Sequence, residues 1–529
     1  MSILNIFAKT ENFGETTHDT TPPQVSSTQN DANKVSSLKI NSFQDVININ
    51  KKDTTIPIHE CNSTSANNGG DDRLRVMFCG TYPIGQSNGY SRVVYYISKY
   101  LGLKKDIRLT IYGFQNYNQT QGSEQRNDIP KDVILHDALA TEDPKRNGFG
   151  EKEIGGYLRR NPQDIVIIFN DSVITSALAS TIIQEFSDEE RKQFMLVSYM
   201  DQVYPYQKKQ YIDLINQYFD LVIAFTPYWR QVARRIGVKK EIPMYFFPHG
   251  FDSELYYPIP KTIARAYYNL PEDAFVILNL NRNQPRKRWD HTMMAFADIV
   301  RRHQELIKTK ADKKHRPLRL MIGTAPEGFW DLLDVYDFEI RKHGVDLQEA
   351  RKYLVFMSKP QQMSDRDINI LYNACDIGLN TCEGEGFGLC QFEHLAVGSP
   401  QVTANIGGMR EFLNIGNSIT VEAKWSYHVD KGRDGIGGVA EVADVKDYAD
   451  AMWRYYNNPA LVLKHGNKGR TEILTNYRWE SMVEYFYKII KDIESKNNKL
   501  EWRRKAEAAK SKSTTNTYVE AGISTPASV

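Results

Sequence analysis

Cysteine is sparse: Cys61, Cys79, Cys375, Cys382 and Cys390 are scattered over 529 residues, odd in number and without paired metal-ligand spacing. That excludes a disulfide framework and a zinc ribbon, and leaves reduced thiols used mainly for packing. Charge of one sign is missing too. With 67 basic residues against 65 acidic ones and a formal net charge of +2, the chain lacks an overall footprint for nucleic acid. No segment approaches the roughly 20 consecutive apolar residues of a membrane span. Residues 1–14 lack the basic start and apolar stretch of a signal peptide, so a cytoplasmic location is expected.

What is present is length and alternation. A chain of 529 residues exceeds what one hydrophobic core serves, so two domains with appendages are expected. Residues 1–72 are rich in Thr, Ser, Asn and Asp and poor in apolar periodicity, and 496–529 read the same way; both are expected to be disordered tails. Between them, short apolar runs alternate with longer amphipathic ones, the pattern of parallel sheets flanked by helices. Strands are expected at 74–79, 108–112, 164–169, 194–199, 221–225 and 244–248, then at 275–281, 318–323, 353–357, 377–380, 400–404 and 418–421. Two such series imply an α/β protein of two doubly wound domains, 73–256 and 257–476, with ligands beyond the carboxyl ends of the strands in the cleft between them. An apolar helix over 477–495 follows.

The most telling stretch is Glu385-Gly-Phe-Gly-Leu-Cys-Gln-Phe-Glu393, which follows a strand and runs into a helix starting near Gly388 or Leu389. Glycines admit a close ligand, and the free amides and dipole of the first helical turn favour phosphate oxygens. Ionised carboxylates repel phosphate but hold hydroxyls well. A ligand with both phosphate and vicinal hydroxyls is a nucleotide sugar. The bland alternative is a strand-turn-helix with two solvated carboxylates.

This Glu-x7-Glu spacing around Gly-Phe-Gly-Leu resembles the signature of the retaining glycosyltransferases of family 4, which have the GT-B fold. The resemblance implies that Glu385 contacts the donor sugar, that Gly386, Phe387, Gly388 and Leu389 line sugar and diphosphate, and that Glu393 takes the ribose hydroxyls. It covers roughly 73–493 and extends to Asn281-Arg-Asn-Gln-Pro-Arg-Lys287, where Arg282 and Lys287 match the family's diphosphate-binding cations. Cations suit that place because cleaving a sugar–phosphate bond loads negative charge onto the leaving diphosphate. Arg supplies a fixed fork and Lys a mobile point charge. A plain basic loop is the alternative, since Arg286 and Arg288 lie in the same cluster.

In the first half, Gly80-Thr-Tyr-Pro-Ile-Gly85-Gln-Ser-Asn-Gly89 resembles the family's glycine loop; it implies donor contacts at Gly85 and Gly89 and acceptor contacts at Ser87 and Asn88. Its glycine spacing is not a dinucleotide fingerprint. Pro248-His-Gly-Phe-Asp252 resembles the interdomain segment, which puts His249 near the donor or makes it a plain hinge residue, with Gly250 suited to a left-handed backbone. The family's first-domain histidine is absent. At the comparable strand end stands Asp201, expected to receive the acceptor's proton, with Asp171 on the neighbouring strand competing for the acceptor; either is also a natural helix cap. Gly407-Gly-Met-Arg-Glu411 resembles a glycine turn whose glutamate begins a helix, and Tyr477-Arg-Trp479 opens what looks like the helix that crosses back to the first domain.

The resemblance therefore implies transfer of a sugar from a nucleotide sugar to an acceptor hydroxyl on a glycan, glycolipid or protein, with retention and with no metal or cofactor. The alternatives are a non-catalytic nucleotide-sugar-binding module and a GT-B phosphorylase or epimerase. Nothing names the base, the sugar or the acceptor. The basic stretch from Trp229 to Lys240 reads either as a resting face on an anionic membrane or as a solvated helix.

Overall fold

The computed structural model describes residues 71–85, 88–116, 126–143, 148–310, 313–357, 363–429 and 436–495. All but the last two residues of the expected tail 1–72, the expected tail 496–529, and Ser87 lie outside them. The first half forms a parallel sheet of β1 (Leu74–Thr81), β2 (Ile107–Phe114), β3 (Ile134–Asp137), β4 (Ile165–Asp171), β5 (Met195–Asp201), β6 (Leu221–Ala224) and β7 (Met244–Phe246), in the order β3-β2-β1-β4-β5-β6-β7. The second half forms β8 (Phe275–Asn279), β9 (Leu318–Ile322), β10 (Leu354–Phe356), β11 (Ile377–Asn380), β12 (Gln401–Ala404) and β13 (Ile419–Val421), in the order β10-β9-β8-β11-β12-β13. The central strands β1, β4, β5, β8, β11 and β12 are apolar runs buried almost throughout, as parallel sheets covered on both faces require.

Each sheet reverses its order once, between β1 and β4 and between β8 and β11. At such a reversal the following loops diverge and leave a crevice. The glycine loop follows β1, Asp171 ends β4, the Arg282–Lys287 stretch follows β8, and the Glu385 loop follows β11. The paired runs thus deliver all four segments to the two switch points.

Two elements have no counterpart among the sequence expectations. β3 is only partly buried, and the antiparallel hairpin β14 (Ala423–Val429) and β15 (Gly438–Ala443) is exposed along most of its first strand. Neither carries the apolar run that marks a buried strand. The hairpin's Val429 and Ala440 pack against Val203 and Tyr204, the residues just beyond β5.

The last helix, Trp479–Ser495, returns to the first domain. Its Trp479 stacks on Tyr96 at 4.6 Å between ring centroids, and Phe486 stacks on Phe247 at 4.6 Å and meets Phe78 at 6.2 Å. Gly250 is where the sequence reading needs correction: it is not among the glycines with positive φ. Its need is room, since a Cβ there would lie 2.6 Å from Cδ2 of Trp479. Phe251 meanwhile accepts from and donates to the backbone of Trp479 and Tyr477.

Candidate functional site

Gly388, at φ +90, turns the chain into the helix Leu389–Ala396. The left-handed conformation there is open to glycine and strained for other residues. Behind the loop, Asn279, Thr292 and Thr381 form a buried polar chain with hydrogen bonds of 2.9 and 2.7 Å, and Thr381 donates to the Arg288 carbonyl at 2.9 Å. These bonds tie the segment after β8 to the segment after β11. Lys287 is consequently ion-paired with Glu385, and Arg286 stands 3.8 Å from the same carboxylate while donating to the Gly384 carbonyl at 3.0 Å. Glu385 is only 8% exposed. Burial would raise its carboxyl, but Lys287 and Arg286 outweigh burial and hold it below the ordinary glutamate value.

Arg282 differs from its neighbours. It is exposed and has no ion pair or side-chain hydrogen bond among the described residues, while its electrostatic neighbours are Arg286, Tyr90, Glu385 and Cys390. Arg288 stands in a left-handed conformation just before the helix Trp289–Thr309 and pairs with Asp290 at 2.7 Å and Glu383 at 3.2 Å.

From the first domain, Asp201 reaches this loop. One oxygen accepts a hydrogen bond from Tyr90, and the other is buried against Gly386 with no partner. Burial pushes its carboxyl up to about 6, with Asp171 and Glu385 adding to the rise and Tyr90 and Arg286 opposing it. Asp171 is the helix cap, accepting from the Val173 and Ile174 amides at 2.9 and 3.1 Å. Asn88 likewise caps its helix, its side-chain oxygen accepting from Ser91 N at 2.9 Å. Gly85 has φ +78, and a Cβ on Gly89 would lie 2.9 Å from Leu389, so the glycine loop abuts the donor-side helix.

His249 sits between Phe225 and Phe387, each 4.7 Å away by ring centroid, and burial drives its imidazole down to about 3. Neither of its nitrogens has a hydrogen-bond partner among the described residues. Phe387 is turned into this aromatic cluster, where it also meets Phe392 and Phe412, so its ring packs while its backbone faces the loop. Glu411 corrects another expectation. It ends the 3₁₀ turn Gly407–Glu411 rather than beginning a helix, and burial raises its carboxyl to about 7 beside Tyr477.

Glu393 is 3% exposed and faces the other domain. Arg92, on the helix Gly89–Leu101, is ion-paired with it, and the Tyr372 hydroxyl donates to its second oxygen at 2.9 Å. Arg92 also holds Asp365 at 2.9 Å. Sequence reasoning did not single out Arg92, Tyr90 or Trp229, whose indole donates to the Gly386 carbonyl at 2.7 Å. It weighed Arg286 only as part of a basic loop. For Arg92 the available signal was a cation one turn into the helix after the glycine loop. The basic stretch from Trp229 to Lys240 is partly consumed: Arg234 donates to the carbonyls of Val238 and Ile242, and Arg230 lies over Phe246. Among the described residues no three His, Cys, Asp or Glu side chains group to hold a metal ion, and no helix is long and apolar enough to cross a membrane.

Two Rossmann-like domains, each presenting its switch point to the other, define the GT-B fold. Solved structures with this fold include sucrose-phosphate synthase from Thermosynechococcus elongatus (TM-score 0.57, 16% identity, 80% of this chain and 100% of that one). Another is Anabaena Alr3699/HepE in complex with UDP-glucose (TM-score 0.56, 15% identity, 79% of this chain and 100% of that one). Among curated proteins, the chain is 31% identical to D-inositol 3-phosphate glycosyltransferase 1 of Catenulispora acidiphila over 237 residues, 44% of this chain and 48% of that protein. It is 23% identical to N-acetyl-alpha-D-glucosaminyl L-malate synthase of Bacillus anthracis over 251 residues, 47% of this chain and 54% of that protein. The chain thus spans about half the length of the curated relatives it matches. No family model matches.

Proposed function

We propose that this chain is a nucleotide-sugar-dependent glycosyltransferase that works with retention and without a metal ion. One observation carries the reading: Arg282, Arg286 and Lys287 gather at Glu385 beside the first turn of the helix Leu389–Ala396, directly across from Tyr90 and Asp201. In this reading the donor's diphosphate lies on Arg282, Lys287 and the free amides after Gly388, its ribose at Glu393 and its sugar hydroxyls at Glu385.

As the sugar–phosphate bond breaks, the departing oxygen gains charge next to cations that are already in place and need no reorganisation. An acceptor hydroxyl attacks the sugar carbon on the face the diphosphate leaves, which retains configuration. Its proton goes to the unpartnered oxygen of Asp201, whose raised value places it near the operating range of a general base. The closed cleft excludes water and so suppresses donor hydrolysis.

The test is release of nucleoside diphosphate from UDP-, GDP- and ADP-sugars, with and without acceptors. UDP-glucose, bound in one structural neighbour, is the first donor to try, and D-inositol 3-phosphate and L-malate, named in the relatives, are the first acceptors. Turnover with one such pair, unaffected by EDTA, is the expected result. Activity lost to EDTA and restored by magnesium or manganese would remove the metal-free course. Binding without turnover for every pair favours the non-catalytic module, and pyridoxal phosphate absorbance the phosphorylase.

A further inference from the structure

We propose that Arg92 is a positioning residue of the nucleotide site: it reaches across from the first domain to keep the Glu393 carboxylate ionised and aimed, so that the ribose pocket is complete only when the domains are closed on each other. This rests on the nucleotide-sugar reading above and adds a cross-domain dependence to it. Ribose has two adjacent hydroxyls, which donate hydrogen bonds best to an ionised carboxylate. An ionised carboxylate has about four acceptor sites. Arg92 takes one on the first oxygen of Glu393 and Tyr372 takes one on the second, which leaves both oxygens with capacity for a diol.

Keeping that charge inside the protein is the difficulty. Glu393 is buried, its neighbour Asp365 is a second buried carboxylate, and the Tyr256 and Tyr372 rings and the Cys390 thiol complete its surroundings. Arg92 meets both acids at once, one arm of its fork on Glu393 and the other on Asp365 at 2.9 Å, with its face 5.3 Å from the centre of the Tyr256 ring. A second arginine of the first domain, Arg126, stands 3.6 Å from the other Asp365 oxygen. Arg126 also donates to Ser91 Oγ at 2.8 Å and to the Pro83 carbonyl of the glycine loop at 3.3 Å. The glycine loop, Arg126, Asp365, Arg92 and Glu393 therefore form one chain of contacts across the cleft. If the domains part, the fork that aims Glu393 is withdrawn; if Arg92 alone is lost from the closed cleft, a buried acid without its cation takes up a proton and ceases to be a pure acceptor.

The experiment is calorimetric titration of the full-length chain, wild type, Arg92→Gln and Arg92→Lys, with UDP, GDP and ADP and with the 2′,3′-dideoxy form of whichever binds. The expected result is that Arg92→Gln weakens the natural diphosphate at least about tenfold while leaving its dideoxy form nearly unchanged, because only the former uses Glu393. Arg92→Lys should recover part of the loss. In Arg92→Gln the affinity should climb as pH is raised, since Glu393 must then ionise with no cation beside it, while wild type stays flatter. Equal loss for both ligands would show a merely structural role and overturn the proposal, as would wild-type affinity in Arg92→Gln; either leaves the nucleotide-sugar site standing. If wild type binds none of the three diphosphates, both readings fall. Should Arg92→Gln not fold, Arg92→Lys, which cannot fork onto both acids, decides with the same ligand pair.

Discussion

Glu385 and Glu393 flank the same glycine turn, are both buried, and are each ion-paired, yet their carboxyls move in opposite directions. Glu385 draws its cations from the loop after β8 in its own domain and is held below the ordinary value. Glu393 draws its cation from the opposite domain and, with burial dominant, stays above it. The Glu385 end of the segment thus takes its ion pairs from within the second domain. The Glu393 end depends on docking between domains, and so does the setting of Asp201, whose free oxygen is confined by Gly386.

The largest effect should come from breaking the cross-domain side at Asp201. Asp201→Asn is expected to lower turnover by about a hundredfold to ten-thousandfold, and to abolish the fall of the wild-type rate below a pH of about 6. Stability should respond with the opposite sign. Because the folded-state carboxyl lies above its ordinary value of 3.8, the folded chain holds this proton more tightly than the unfolded one, and stability is lost as pH rises from about 4 through about 6. Asp201→Asn should therefore raise the thermal midpoint at pH 7 to 8 and lose that advantage near pH 4.

Breaking the within-domain side is next. Arg282→Ala and Lys287→Ala should each reduce turnover on the order of a hundredfold, but they should part in thermal unfolding. Arg282 is exposed and unpaired among the described residues, so its removal should leave the midpoint alone. Lys287→Ala strands a buried Glu385, with Arg286 at 3.8 Å as the remaining cation, and should lower it. Near-normal turnover in both variants would dissolve the assignment of the diphosphate site.

Smaller effects sharpen the contrast by leaving the site's charges intact. Gly250→Ala forces Trp479 away from its seat on the first domain and should cost about 1–3 kcal/mol in denaturant unfolding. Asn88→Ala removes the cap of the helix that carries Arg92 and should cost about 1 kcal/mol. If it also weakens diphosphate binding, the aim of that helix matters to Glu393.

Much of this was legible in the residues. The strand positions at 74–79, 164–169, 194–199 and 377–380 match β1, β4, β5 and β11 within two residues, because buried parallel strands are continuous apolar runs. The helix start at Leu389 matches because a left-handed glycine punctuates it. β3 and the β14–β15 hairpin were illegible because their half-exposed sequences carry no such run. Gly250 was misread because a glycine required for close approach looks, in sequence, the same as one required for positive φ.

The sequence by itself determined which residues form the buried central strands and that cations and carboxylates follow β8 and β11, since hydrophobic periodicity and glycine punctuation are local properties. Only the tertiary structure decided the partners: Arg92 for Glu393 across 301 positions, Tyr90 for Asp201 across 111, and Trp229 for the Gly386 carbonyl across 157. The first and third are fixed by how the two domains pack and the second by how the first domain folds on itself, and a buried carboxylate takes its ionisation from whatever charge that packing brings beside it.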